Sequence, residues 1–344
     1  MRPEYKHLPV NVAAALSRLG ADLDREAKPQ RHDLEEALDG LAKLSPAVVA
    51  SAAYEIRDAA RLGWWTSPRP FLLRLITSRQ TPGMLLAAEP RYAWLFLFHG
   101  DGRVRQAALE RLNEPPAAPF FLAAMAWRLN DWASEVRTAA VLAAERLLPS
   151  TSPRIVAAVA MDLLDREFHW SRWTSEMRAL NTAFARPDVG AILVDLFLHS
   201  PTGPLANRLR YLLRYAGYEQ FLPALARQAV QPAVRALALK SLLDGRVSWP
   251  VGFEWKWIDK TYGLRRREPA FASRPIQHGE WLEDLIVQGL ADRSPVVRRV
   301  AADALCEHRR KVPQAEHLIV GLAKDRNPSL RERASYMMRH PLET

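Results

Sequence analysis

Small apolar residues recur at helical spacing near the C-terminal end of the sequence. Each time they follow the same short motif, an aspartate with an arginine six residues later, which we call the phrase. Asp292 lies six residues before Arg298, and Asp325 lies six residues before Arg331. In both copies a proline interrupts the loop, a valine or leucine precedes the arginine, and alanines follow it. This pattern predicts that each phrase begins an amphipathic helix.

Weaker copies of the phrase occur upstream. Asp131 and Arg137 keep the spacing of six residues, whereas other copies keep only the apolar residue, the arginine and the small residues after it. Successive arginines are 32, 41, 30, 27, 63 and 33 residues apart, so the gap of 63 suggests one repeat plus an insertion. Such an interval is typical of a solenoid of stacked helix pairs. The arginines in order are Arg105, Arg137, Arg178, Arg208, Arg235, Arg298 and Arg331.

With a proline in its loop, the phrase Asp-x-x-x-x-Val-Arg-x-x-Ala-x-x-Ala-Leu resembles the HEAT-repeat family over roughly residues 90 to 344. The resemblance implies an all-α superhelix, a solenoid of antiparallel helix hairpins with one irregular insertion. It also implies a ladder of loop aspartates and helix arginines that stabilises the stack. The architecture leaves the function open, because one scaffold can host many roles. The ladder residues would be Asp131, Arg137, Asp292, Arg298, Asp325 and Arg331.

We expect one continuous solenoid in four parts. Residues 1–89 would form an N-terminal helical cap with degenerate repeats, residues 90–245 HEAT-like repeats, and residues 279–344 further HEAT-like repeats. The insertion at residues 246–278 interleaves aromatic and basic side chains. Its three prolines and two glycines argue against long regular elements, whereas its aromatic content argues against disorder. An excursion of this length is usually functional or mobile.

Charge separates the two halves of the chain. The formal net charge is +10, and residues 201–344 alone hold 24 basic and 15 acidic side chains. This asymmetry suggests an acidic partner for the C-terminal half. Compositional bias is the alternative explanation, because 40 of the 48 basic residues are arginine.

The leading functional hypothesis is a non-catalytic scaffold or adaptor that binds a protein partner. The concave surface of the C-terminal half and the insertion would form the binding site. The alternative is nucleic-acid binding by the same surface, with arginines along the phosphates and aromatic rings against the bases. Candidate binding residues are Trp255, Trp257, Lys256, Lys260, Arg265, Arg266, Arg267, Arg208, Arg210, Arg214, Lys240, Arg299 and Arg333.

One feature suggests an enzyme. Trp127 lies four residues before Asp131, an arrangement similar to that of HEAT-like alkylpurine DNA glycosylases. The resemblance implies that Asp131 would stabilise a cationic sugar and Trp127 would stack on the damaged base. The simpler interpretation is structural, because Asp131 also fills the ordinary repeat-loop position.

Other chemistry is sparse in the sequence. A single cysteine, Cys306, allows no intrachain disulfide, so we expect a reducing cytoplasm and a buried thiol. Asp162, Asp165 and His169 share one helical face, but a solvated helix end explains them better than a metal. No cofactor is predicted. No apolar run reaches the roughly 18 residues of a membrane span, so no membrane partner is expected.

Overall fold

The computed structural model describes residues 5–25, 31–63, 81–164 and 176–341. These residues are mostly helical, and they include one two-stranded sheet. Contacts divide the chain into a first unit, Met1–Val189, and a second unit, Gly190–Thr344. The division falls within one helix, at a position where the sequence analysis placed no boundary.

The first unit is built from short helices. Prolines open several of them, because proline suits the first helical position, where its missing N–H has no intrahelical partner to lose. Among its described residues, the α-helices are α1 (Val10–Arg25), α2 (Arg31–Ala42), α3 (Val49–Ala59), α4 (Pro82–Ala88), α5 (Tyr92–Phe96), α6 (Gly102–Arg111), α7 (Pro119–Arg128), α8 (Ser134–Leu147), α9 (Pro153–Leu163) and α10 (Arg178–Phe184).

The second unit contains helix pairs and a hairpin of two strands. Helix α11 (Pro187–His199) contains the division between the units. The elements after it are α12 (Leu205–Leu212), α13 (Leu222–Gln228), α14 (Pro232–Leu243), β1 (Arg246–Asp259), β2 (Leu264–Pro275), α15 (Leu282–Leu290), α16 (Pro295–His308), α17 (Ala315–Leu322) and α18 (Pro328–Arg339). Helices α13 and α14, α15 and α16, and α17 and α18 pack as pairs, while α14 packs against α16 and α16 against α18.

The predicted helix starts at the two strongest phrases are confirmed, and local hydrogen bonds explain them. Asp292 accepts a hydrogen bond from the backbone N–H of Ser294 at 2.7 Å. The Ser294 hydroxyl in turn accepts one from the N–H of Val296 at 3.3 Å, and Pro295 occupies the first turn. Asp325 and the residues after it repeat this arrangement at the start of α18, with an asparagine as the N-cap. These side chains satisfy backbone donors that a helix start leaves unpaired.

The insertion is not irregular, which corrects that prediction, and it adds one small two-stranded sheet to a chain that is otherwise mostly helical, as the fold class predicts. Strands β1 and β2 form a long antiparallel hairpin. Asp259 closes its turn by accepting hydrogen bonds from the N–H groups of Thr261 and Tyr262, and Gly263 adopts a φ of 64° that favours glycine. The prolines are tolerated because each strand of a two-stranded sheet has one unpaired edge, where a missing N–H costs no ladder bond.

Within the described ranges, no helix combines the length and the apolar composition needed to cross a bilayer.

Candidate partner-binding surface

The register of the hairpin separates its side chains into two faces. Opposed residues in an antiparallel pair lie on the same face, and neighbours along a strand alternate between faces. Trp255 is opposite Arg267, Trp257 is opposite Arg265, and Phe253 is opposite Pro269. We call Phe253, Trp255, Trp257, Arg265 and Arg267 the aromatic face.

On the aromatic face, arginines lie against rings rather than carboxylates. The guanidinium carbon of Arg265 is 4.6 Å from the ring centroid of Trp255, and that of Arg267 is 4.2 Å from the centroid of Phe253. Each arginine therefore reaches diagonally past the tryptophan opposite it to the next ring along β1. Neither arginine has an ion-pair partner among the described residues. Phe253, Trp255 and Trp257 are 59%, 58% and 52% exposed.

The opposite face of the hairpin, which we call the charged face, consists of Glu254, Lys256, Arg266 and Glu268. Glu268 forms ion pairs with Arg266 and with Lys256, the latter at 3.5 Å. Hydrogen bonding from Arg266 lowers the pKa of the Glu268 carboxyl. Two acidic and two basic groups balance on this face, whereas the aromatic face has two positive charges and no acidic group.

The faces change the list of candidate binding residues. Trp255, Trp257, Arg265 and Arg267 lie together as predicted candidates, but Lys256 and Arg266 belong to the charged face and share a carboxylate. Phe253 is an addition that the prediction missed. Its signal was present in the sequence, because aromatic and charged residues alternate with a period of two from 253 to 257. Lys260 lies in the exposed turn of the hairpin.

The base of the hairpin is anchored to helices of the second unit. Val247 is fully buried, and β1 packs against α12 and α14. Arg274 donates hydrogen bonds to the carbonyl oxygens of Leu213 and Tyr215, at 3.2 and 3.1 Å, and forms an ion pair with Glu219 at 2.7 Å. Burial opposes ionisation of Glu219, but hydrogen bonds from Arg274 and from backbone N–H groups, together with the charge of Arg274, outweigh it and lower the pKa of Glu219.

The outer part of the hairpin, residues 253–268, has no such anchor. In the described part of the chain, no hydrogen bond or ion pair joins these residues to a helix. The hairpin therefore has a fixed base and a projecting end, and the aromatic face lies on the projecting end.

Two of the predicted helix cations are paired with carboxylates. Lys240 pairs with Asp244 at 2.9 Å, and Arg333 pairs with Asp303. Arg299 is exposed on α16. Three further candidates lie on or just after α12. The guanidinium carbon of Arg210 is 5.9 Å from the ring centroid of Phe271, and that of Arg214 is 4.6 Å from the ring centroid of Tyr215. Arg208 is half-buried.

The contacts of the ladder residues join successive copies of the repeated phrase. The Asp131 carboxylate does not bind the Arg137 side chain, which instead donates to the Asp131 carbonyl oxygen at 3.0 Å and to Glu176 at 3.1 Å. Asp131 binds Arg105 of the preceding phrase through both carboxylate oxygens, at 2.8 and 2.9 Å. Each of these aspartates therefore binds the arginine of the preceding phrase, not the arginine six residues after it. We call the resulting contacts the arginine rungs: Arg105–Asp131, Arg235–Asp292 and Arg298–Asp325.

The rung at Asp131 occupies the carboxylate to which the glycosylase resemblance assigns a role. The Asp131 side chain is 1% exposed, and Arg128 donates to it at 2.6 Å in addition to Arg105. Burial alone would raise the pKa of Asp131, but the two arginines and the backbone N–H of Ala133 together outweigh it and lower the pKa. Trp127 stacks against Arg128, whose guanidinium carbon is 3.7 Å from the ring centroid. Both residues therefore serve the helix packing.

No other chemical centre emerges from the described ranges. They contain no group of three or more His, Cys, Asp or Glu side chains that could hold a metal. Of the three residues that the sequence places on one helical face, Asp162 lies within the described ranges, whereas Asp165 and His169 lie outside them. Cys306 is half-buried, and burial raises the pKa of its thiol.

The aromatic face combines exposed rings with arginines that have no carboxylate partner among the described residues, on a hairpin whose base is anchored, which makes it the best candidate for a binding surface. No protein-family model matches the chain, and no curated protein is significantly similar to it. The functional inference therefore depends on the contacts, burial and charges of these residues.

Proposed function

We propose that the protein is a non-catalytic, HEAT-like helical solenoid that binds a protein partner through the aromatic face of its hairpin. The observation that carries this proposal is the asymmetry of the hairpin. One face neutralises its own charges, while the other exposes three large rings and two arginines that no described carboxylate neutralises. A partner with apolar and acidic side chains would match that second face.

The exposed rings are a source of binding energy. A large aromatic side chain buries about 150–250 Å² when enclosed, so covering the exposed halves of three rings would remove roughly 300 Å² from water. At about 25 cal/mol per Å² this contributes ~7 kcal/mol before the costs of association. Tryptophan and arginine are also the residue types that most often dominate protein interfaces.

The helices support a scaffold role because they hold the hairpin base in place. The rungs at Arg235 and Arg298 join successive helix pairs of the second unit, and the first of them spans the insertion. The hairpin is thus inserted in the sequence between two helix pairs, α13/α14 and α15/α16, that contact each other directly. A rigid base reduces the ordering cost that binding has to overcome.

Nucleic-acid binding is less well matched by this surface. The guanidinium groups of Arg265 and Arg267 lie over Trp255 and Phe253, where a stacked base would have to displace them. Several other predicted cations are paired with carboxylates. The charge available to follow phosphates is therefore smaller than the net charge suggests.

The test uses a photoreactive amino acid placed at one of two neighbouring positions in the full chain. Position 257 lies on the aromatic face and position 256 on the charged face, and both are exposed. After irradiation in the native host, we expect discrete crosslinks to a protein from position 257, and few from position 256. The Trp255→Ala change should reduce the crosslinks from position 257.

Labelled single-stranded DNA, duplex DNA and RNA provide the contrasting outcome. Their binding should be measured at about 50 and 200 mM salt, because phosphate contacts weaken steeply as salt rises. Micromolar affinity that falls with salt and with Arg265→Ala would contradict the proposal in favour of nucleic-acid binding. Equal crosslinking from both positions would contradict a face-specific site.

A further inference from the structure

A proline of the hairpin determines which backbone groups of β1 point away from β2. Pro269 has no N–H, so its pair with Phe253 is not a hydrogen-bonded one. Hydrogen-bonded and non-hydrogen-bonded pairs alternate along an antiparallel ladder, and residues 253–257 pair with residues 265–269 without a register shift. The N–H and C=O groups of Phe253, Trp255 and Trp257 therefore point outward, where no described residue forms a hydrogen bond with them.

The outer side of β1 is an exposed strand edge. Residues 253–258 are all exposed. Pro250 lacks an N–H on the side of the anchored base, and β1 ends at Asp259, so the available stretch is residues 252–258. We call this stretch the open edge. Sheets usually protect such an edge with like charges, a proline or a covering element, because an unprotected edge can pair with another strand.

The corresponding edge of β2 is protected in this way. By the same alternation, the backbone groups of Arg265 and Arg267 point outward, and Arg266 lies between them. Two β2 edges would bring arginines opposite arginines, which repel one another, and Pro269 offers no N–H for a further bond. The open edge of β1 has no such protection.

The charged face leaves Glu254 without a cation. The residue opposite Glu254 on β2 is Glu268, another carboxylate, and Lys256 is likewise opposite Arg266. Lys256 and Arg266 both form their ion pairs with Glu268, and no described residue forms one with Glu254. Like charges directly opposite each other destabilise a strand pair. A cation on the outer side of β1 would therefore be favourable beside Glu254.

We propose that the open edge pairs with the open edge of a second copy of this chain, antiparallel and centred on Trp255. In this register Trp255 is opposite its own counterpart, and Phe253 is opposite Trp257 of the second copy. Glu254 is opposite Lys256 of the second copy, and the twofold symmetry of the interface repeats each contact. Each copy thus supplies the cation that Glu254 of the other lacks.

Charge selects this register over its neighbours. A pairing centred on Glu254 would place two carboxylates opposite each other, and a pairing centred on Lys256 would do the same with two ammonium groups. The register centred on Trp255 places unlike charges opposite each other at both positions. In it, the outward N–H groups of each copy donate to the outward carbonyl oxygens of the other, and aromatic rings meet across the interface.

The antiparallel arrangement also separates the helices of the two copies. The two anchored bases lie at opposite ends of the resulting four-stranded sheet, with the two Pro250 residues about ten positions, or roughly 33 Å, apart along the strands. A twofold axis perpendicular to the sheet leaves both aromatic faces on the same side. The dimer therefore doubles the aromatic face without covering it.

Sedimentation equilibrium of the purified full chain tests the pairing. Because the paired stretch is short, we expect a reversible dimer with a dissociation constant on the order of 10 µM. Glu254→Lys alone, or Lys256→Glu alone, places like charges opposite each other and should weaken self-association at least about tenfold. A chain that stays monomeric up to about 200 µM would overturn the proposal.

Two restorations test the register itself. An equimolar mixture of the two single variants should dimerise, because one chain then has two basic residues at these positions and the other has two acidic residues. A chain with both changes should also dimerise, because each reversed charge is opposite the other. If neither combination restores the dimer, the register centred on Trp255 is wrong.

Amide hydrogen exchange distinguishes loss of the dimer from loss of the hairpin. The N–H of Lys256 points towards β2 and should stay protected in the Glu254→Lys variant, whose new charge is opposite Glu268. The N–H groups of Trp255 and Trp257 point outward, so they should exchange faster on dilution and in that variant. Exchange at these two positions that does not depend on protein concentration would contradict the pairing.

This inference and the proposed function fail separately. Self-association is measured with the purified chain alone, whereas the proposed partner is a different protein in the native host. Crosslinks between two copies are twice the size of one chain, so they are counted apart from crosslinks to another protein. A monomeric chain that still crosslinks from position 257 to a different protein would overturn only the dimer.

Discussion

The arginine rungs and the aromatic face use the same residue type in opposite ways. In the rungs, Arg105 and Arg235 are 2% exposed, and each meets a carboxylate that also closes a turn. On the hairpin, Arg265 and Arg267 are exposed and lie over aromatic rings. A buried guanidinium needs a carboxylate because an unpaired buried charge is costly, whereas an exposed one needs none. The rungs therefore maintain the fold, and the hairpin arginines remain available to a partner.

The largest expected effect comes from breaking the most buried rung. Asp131→Ala leaves Arg105 and Arg128 buried without their carboxylate. We expect a loss of about 3–5 kcal/mol in the free energy of unfolding, measured by chemical denaturation. The matched control is Asp244→Ala, whose exposed partner Lys240 should make its loss no more than about 0.5 kcal/mol. Similar losses from both changes would show that burial does not separate the two kinds of ion pair.

The aromatic face gives the next largest effect, on binding rather than on stability. Trp255→Ala with Trp257→Ala should weaken binding to the crosslinked partner at least about 30-fold, as removal of interface hot spots does. Lys256→Ala with Arg266→Ala changes the other face and should weaken binding less than about threefold. Titration with the purified partner measures both. Comparable losses from the two double changes would remove the distinction between the faces.

Acid should destabilise the helical region near the first rung. Burial lowers the pKa of His99 to about 4, and its Nδ1 atom accepts a hydrogen bond from the N–H of Asp101 at 2.9 Å. Because the ordinary pKa is about 6.5, the unfolded chain binds the proton first as the pH falls. Neutral His99 therefore makes its full contribution to the free energy of unfolding above about pH 6.5, and this contribution is lost progressively as the pH falls towards 4.

Between pH 7 and pH 5 this loss should be about 2 kcal/mol, measured by chemical denaturation at both values. His99→Gln keeps a hydrogen-bond acceptor but does not titrate, so it should remove most of that pH dependence. An unchanged pH dependence in the variant would assign the effect to other groups.

The smallest expected effect concerns the hairpin arginines. Arg267→Ala removes the contact over Phe253, which should contribute about 0.5–1 kcal/mol at an exposed site. Global stability should stay within about 0.5 kcal/mol, since residues 253–268 make no hydrogen bond or ion pair to the described helices. Faster amide exchange confined to this part of the hairpin would identify the local effect. A global loss comparable with that of a rung would contradict it.

The sequence by itself determined the helix starts. Asp292, Ser294 and Pro295 act through hydrogen bonds and backbone restrictions within a few residues, so their effect can be inferred without any tertiary contact. The alternation of aromatic and charged residues from 253 to 257 was equally local, and it contained the hairpin signal. The prolines and glycines around it suggested that no long strand could form. That inference holds only for a strand paired on both edges, and each strand of this hairpin has one free edge.

Tertiary structure decided which groups meet. The partner of Asp131 is Arg105, 26 residues earlier, and the partner of Asp292 is Arg235, 57 residues earlier across the insertion. A phrase repeated along the chain shows that aspartate and arginine are both needed, but not which copies bind each other. Packing between successive helix pairs selects the partners, because only there does a side chain of one pair reach a loop of the next.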